Sequence, residues 1–136
     1  MVRDMNIFKN FLKKHLKVPE KNIISLQDGW ASCKEIISSF KHLKDNKDYK
    51  KDKVGIIIFY AGHGTWNKIP KEWQNFWFTS NGFIEMLCPS DIGSPNPNIN
   101  SKKVEGIPDQ MISALLNQIS EAKGNNIISI LNFFHN

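Results

Sequence analysis

The sequence predicts an α/β domain built on a mostly parallel sheet flanked by helices. Two apolar runs carry that prediction. VGIIIFY at 54–60 and NIISIL at 126–131 are short, rich in β-branched residues and apolar on both faces. Strands buried between two helical layers have that composition. Three amphipathic stretches alternate with such runs, and strands separated by helices imply crossovers that leave neighbouring strands parallel. The 136 residues suit one domain, and with 40% hydrophobic and 23% charged residues the composition is that of an ordinary globular protein.

Residues 3–17 read as the first helix. Met5, Phe8, Phe11, Leu12 and Leu16 share one face, lysines occupy the other, and Pro19 ends the run. NIISLQ at 22–27 reads as a short strand, followed by a turn at Asp28–Gly29. Ser32–Cys33–Lys34–Glu35 has the form of a capping box. It opens a second helix to about Leu43, with Cys33, Ile36, Ile37, Phe40 and Leu43 inward. Residues 45–53 form a charged loop, and the first apolar run follows.

After His63 the pattern is aromatic but irregular, with Trp66, Trp73, Phe76, Trp77 and Phe78. GFIEMLC at 82–88 reads as a strand stopped by Pro89, and 90–106 as a long loop. Pro108 suits the first turn of a third helix, which sends Met111, Ile112, Leu115, Leu116 and Ile119 inward and closes at Lys123–Gly124.

The net charge is +5, with much of the excess between residues 9–21 and 41–53. No aromatic residues are interleaved with the basic ones as in a base-stacking platform, so these read as solvated faces and not as a nucleic-acid surface. No run approaches the roughly 18 apolar residues of a membrane span, and no secretory leader opens the chain. Cys33 and Cys88 form no disulfide framework. Together these features give the expectation of a cytoplasmic protein without membrane attachment.

His63 is the residue the sequence singles out. It stands between Gly62 and Gly64, where an apolar run ends, and ligands of open α/β sheets gather at the carboxyl ends of strands. The flanking glycines are read as allowing a sharp turn and close approach to a ligand. His15 and His42 lie in lysine-rich helices and read as exposed. A catalytic histidine needs a nucleophile, a metal or a second acid/base, and the strand at 126–131 is the natural donor. No HExxH, Cys/His metal spacing, GxSxG or phosphate-binding glycine loop occurs. Cys33 and Cys88 read as structural.

Several motifs in order carry a resemblance. YAGHG at 60–64 resembles the histidine motif of the caspase/metacaspase family of cysteine peptidases. FIEMLCPSD at 83–91 is similar to the segment after the histidine in fungal metacaspase-like proteins. GIPDQMISALL at 106–116 and KGNNIISIL at 123–131 resemble the helix and strand before the family's nucleophile. VRDMNIFKNFLKKHLKVPEKNIISL at 2–26 resembles its first helix and following strand.

The resemblance implies peptide-bond hydrolysis by a Cys/His dyad acting on polypeptide substrates. By it, His63 is the acid/base, the Gly64 N–H is an oxyanion donor, and Asp4 lines a pocket for a basic side chain. Calcium activates many metacaspases, but no residue here is assignable as a ligand, and no cofactor is expected.

The sequence departs from the family at its end, which reads Asn132–Phe133–Phe134–His135–Asn136 in place of Asp-(Cys/Ser)-Cys-His-Ser-Gly. Phe134 stands at the nucleophile's position, and Asn132 where a second pocket acid belongs. The family also has a central strand before its first helix, and strands and helices after its cysteine. Residues 1–136 are therefore expected to be a single partial caspase-like domain, truncated at both ends and marginally stable. The strands at 22–27 and 54–60 should then have open edges or pair with each other. Three readings follow: a degenerate peptidase domain, an inactive module that binds a protein partner such as an active homologue, and a fragment of a longer active enzyme. The oligomeric state is not legible in the sequence.

Overall fold

The computed structural model describes residues 2–77, 79 and 81–134. Phe78, His135 and Asn136, named above, lie outside the described residues. The fold is mixed α/β. Helix α1 (Val2–Lys14) and helix α2 (Cys33–Asp45) precede strand β1 (Ile56–Lys68). Strands β2 (Phe83–Leu87) and β3 (Ile107–Pro108), helix α3 (Asp109–Lys123) and strand β4 (Ile127–Phe134) complete it. The sheet order is β3-β2-β1-β4.

The expected mostly parallel sheet is corrected. β1 and β4 are parallel, but β1–β2 and β2–β3 are antiparallel. The reason is that β1 does not stop at Tyr60. It runs on through Lys68 and pairs Gly64–Lys68 with Phe83–Leu87. That half carries Trp66, Asn67 and Lys68 on a half-exposed sheet, so no apolar run advertised it.

Helices cover both faces. On one face, Phe40 of α2 and Ile112, Leu115 and Ile119 of α3 pack with Ile56, Leu87 and Ile107, and with Ile58, Tyr60 and Phe133. All five inward residues expected of α2 join this core. On the other face, Phe8 of α1 stacks on Phe59 of β1, with ring centroids 4.3 Å apart.

The caps explain where the helices begin and end. The Ser32 hydroxyl accepts from the Glu35 N–H, 3.2 Å, as a capping residue should. The Asp91 carboxylate accepts from the Cys33 N–H, 2.8 Å, which ties the long loop to the start of α2. Pro108 is the residue before α3, extended at φ −63° and ψ 148°, and not part of its first turn. Gly124 closes α3 at φ 97°. Lys123 is buried instead of solvated, and its ammonium donates to the Asn46 and Tyr49 carbonyls, 2.6 Å each. Met111 is exposed, since α3 turns that side outward.

The N-terminal region departs most from expectation. α1 ends at Lys14, and Lys17 turns left-handed at φ 55°. Phe11 and Leu16 are exposed, and no residue of α1 is fully buried. The strand expected at 22–27 does not form. Residues 20–22 make a short 3₁₀ turn, and the backbone is extended at Ile23 and Gln27, but no ladder includes them. Sequence encodes an extended backbone there; a strand also needs a neighbour. Ser25 and Gln27 instead donate side-chain hydrogen bonds to Met5 and Asn6 of α1.

The consequence is uneven stability. Amide hydrogen exchange is expected to find α1 the least protected of the three helices, and α3 around fully buried Ile119 the most. Equal protection of α1 and α3 would contradict this packing.

Candidate functional site

β1 is the element that positions the site. Its first half pairs with β4 in parallel, from Ile56 with Ile127 to His63 with Phe134. Its second half pairs with β2 from Gly64 onward. His63 therefore sits where β1 passes from one partner to the other, within a strand that continues. Gly62 and Gly64 are not turn residues, because only Gly82, Gly93 and Gly124 take positive φ among the described glycines.

Gly62 has a different reason. Tyr60 and Gly62 lie on one face of β1, and the Tyr60 ring lies along the strand over Gly62. A Cβ at Gly62 would meet the Tyr60 hydroxyl and stand 2.7 Å from its Cζ. The hydroxyl donates to the His63 carbonyl, 2.9 Å, with the Cys88 carbonyl at 3.3 Å. The His63 carbonyl also accepts from the Cys88 N–H, 3.1 Å. Three groups thus fix the backbone at His63: a phenol from one face, the amide just past the end of β2, and the β4 ladder beside it. Burial, then the Cys88 thiol, pushes the Tyr60 phenol up to about 12.

The alternation of β1 settles which way the site faces. Ile56, Ile58 and Tyr60 point into the α2–α3 core, so Ile57, Phe59, Ala61 and His63 point to the α1 face. Parallel partners share a face, so Asn132, beside Ala61, and Phe134, beside His63, point the same way. His63, Asn132 and Phe134 are all solvent-exposed. The structure thus brings together three of the five residues singled out by resemblance. Gly64 follows directly. The Ile56 N–H donates to the Asn126 carbonyl, 2.9 Å, which aims the backbone groups of alternate residues, Gly64 included, towards the β4 side.

Asp4 belongs to α1, the helix on this same face, one turn before Phe8, the residue that touches β1, and its carboxylate makes no hydrogen bond or ion pair among the described residues. His15 and His42 are exposed on their helices, as expected.

The cysteines are elsewhere. Cys33 opens α2 and Cys88 follows β2, both half-buried and unlinked. Burial raises both thiols, and Asp91 raises that of Cys33 further. Such thiols stay protonated near neutrality and are weak nucleophiles. Among the described residues, no group of three His, Cys, Asp or Glu is placed to hold a metal ion. No helix among the described residues is long and apolar enough to cross a membrane.

Sequence reasoning missed Tyr60 as the residue that locks His63. The signal was present in the i, i+2 spacing of Tyr60 and Gly62 within YAGHG. It also missed a cavity of about 230 Å³ on the opposite face, floored by Leu87 and Phe133 and bordered by Glu85 and Asp109. No periodicity points to a cavity lined jointly by α3 and by residues of β1, β2 and β4.

Gly62→Ala is expected to cost about 1–3 kcal/mol through overpacking against Tyr60. Denaturant unfolding of Gly62→Ala, Tyr60→Phe and the double variant checks this. The double variant should lose less than the sum of the singles, and strict additivity would contradict the contact. The raised Tyr60 phenol has a sign that can be tested. The folded value of about 12 exceeds the ordinary 10, so its stabilisation is complete below pH 10 and is lost as pH rises towards 12. Native-state tyrosinate absorbance should show a component near 12 that Tyr60→Phe removes; titration of that component near 10 would contradict the burial.

Comparison with models of protein families, with curated proteins and with solved structures finds no match.

Proposed function

We propose that the chain is a caspase/metacaspase-like domain that does not cleave peptide bonds by that family's route. The observation that supports this reading is the pairing of His63 with Phe134. In the family chemistry a cysteine thiolate attacks the carbonyl while the histidine moves protons. Here the position beside His63 carries a phenyl ring, which has no ionisable group and no lone pair for attack. His63 stands where the resemblance puts the acid/base, but it does not start the reaction alone, and the Gly64 N–H, the oxyanion donor by resemblance, faces the β4 ladder. Asn132, neutral, would give a basic substrate side chain no charge to pair with.

A second reading, a module that binds a protein partner and regulates an active homologue, is favoured by the open edge of β1. Over Ile57–Ala61, no described strand pairs with β1 on the side away from β4. Backbone groups of an apolar strand left in that state are a template for an added strand.

Fluorogenic peptides ending in Arg or Lys should show no turnover with the purified chain. Turnover abolished by His63→Ala would overturn the inactive reading. The arrangement itself is tested with Phe134→Cys. Its alkylation by iodoacetamide at neutral pH should be about tenfold faster than in Phe134→Cys/His63→Ala, the effect of a thiol lowered by about one pH unit. Equal rates would show that positions 63 and 134 do not act on each other.

A further inference from the structure

We infer that Asn81–Gly82, where the chain enters β2, is a self-modification site. The Asn81 amide is lost to water through a succinimide, and the isoaspartate formed there opens the outer end of the β1–β2 hairpin. Among the asparagines of the chain, only Asn81 precedes a glycine. Asn96 precedes proline, which has no N–H to give up, and the others with a following residue face a side chain that crowds the attacking nitrogen.

The backbone presents the two reacting groups to each other. Gly82 stands at φ 74°, which glycine adopts without strain. The Asn81 Oδ1 accepts from the Phe83 N–H, 3.1 Å, so the side chain folds forward across the Gly82 peptide in an Asx turn. That bond also draws electron density from the side-chain carbonyl and makes Cγ a better electrophile. The Gly82 N–H donates no hydrogen bond among the described residues, so none there holds its proton. Asn81 and Gly82 are both exposed, and a Cβ added at Gly82 would meet nothing within 4 Å, which leaves room for the closed ring.

The step balances with water as its one co-reactant. The Gly82 nitrogen attacks Asn81 Cγ and gives up its proton. The N–Cγ bond forms, the Cγ–Nδ2 bond breaks, and ammonia leaves. Water then opens the succinimide. Addition at Cγ breaks the new bond and yields aspartate. Addition at the main-chain carbonyl carbon of residue 81 breaks the original peptide bond and yields isoaspartate, with the chain now running through Cγ.

The two products differ in what they do to the hairpin. Both add a negative charge next to Phe83, the ladder partner of Lys68. Aspartate keeps the main chain at its length and still accepts the Phe83 N–H. Isoaspartate adds a methylene to the main chain just before Gly82. The Gly82 carbonyl accepts from the Ile69 N–H, 3.1 Å, one step beyond the Lys68–Phe83 pair. The longer backbone displaces that carbonyl, and Ile69, packed with Ile84 and Met86, loses its tie to the opposite strand.

The test is peptide mapping by mass spectrometry of the purified chain held at mildly alkaline pH in heavy-oxygen water. Asn81 is expected to convert ahead of every other asparagine, to aspartate and isoaspartate that each take up one heavy oxygen. Conversion should be no slower in the folded chain than in guanidinium chloride, because the fold holds the reactive turn. Asn81→Gln, whose longer side chain has to close a larger ring, should lose the reaction. Amide hydrogen exchange then reads the consequence: the Ile69 N–H should lose protection in the isoaspartyl chain and keep it in Asn81→Asp. An Asn81 amide that survives in the folded chain, or that outlasts another asparagine's, would overturn the inference. So would faster conversion in guanidinium chloride than in the folded chain, and so would an isoaspartyl chain in which Ile69 stays protected.

Discussion

The change of partner along β1 is the constraint on which the remaining structure depends. One thirteen-residue strand pairs in parallel with β4 up to His63 and antiparallel with β2 from Gly64. A shift of either ladder by one residue would turn every side chain of that half to the other face. The Cys88 N–H and the Tyr60 hydroxyl, both on the His63 carbonyl, hold the two halves in phase. Gly62 is small because the Tyr60 ring passes over it. The YAGHG motif is thus a packing arrangement before it is anything chemical.

The two faces of this strand have unequal support. The α2–α3 face is closed by Ile107, Ile112, Leu115 and Ile119, with Ile119 fully buried. The α1 face rests on Phe8 against Phe59, and Ile7 and Phe11 of α1 are exposed, as is Leu16 just beyond it. His63, Asn132 and Phe134 all lie on this second face. The candidate site therefore sits on a rigid strand pair beneath a lightly held helix.

Much of the fold was legible because it depends on period. The inward face of α2 followed from its 3.6-residue spacing, and so did most of α3. β2 and the core half of β1 followed from short apolar runs with clear stops. What was not legible depends on partners. Residues 22–27 have strand composition, and Ile23 and Gln27 an extended backbone, but a ladder needs a neighbour that composition does not specify. The outer half of β1 is half-exposed, so its polar residues hid it. Lys123 looked like a charge at a helix end, and only the fold brings the Asn46 and Tyr49 carbonyls around it. At the site, the end of the first run and the choice of the last strand as His63's neighbour were readable. The glycine roles were not, because close approach by a tyrosine ring leaves no trace in turn chemistry.

The arrangement of His63 and Phe134 on adjacent strands, on one face, is the claim from which the functional reading follows. Backbone nuclear Overhauser effects between β1 and β4 test it most directly. The account predicts parallel cross-strand contacts that run in step from Ile56 beside Ile127 to His63 beside Phe134. Contacts displaced by one residue, which would put His63 and Phe134 on opposite faces of the sheet, would contradict it.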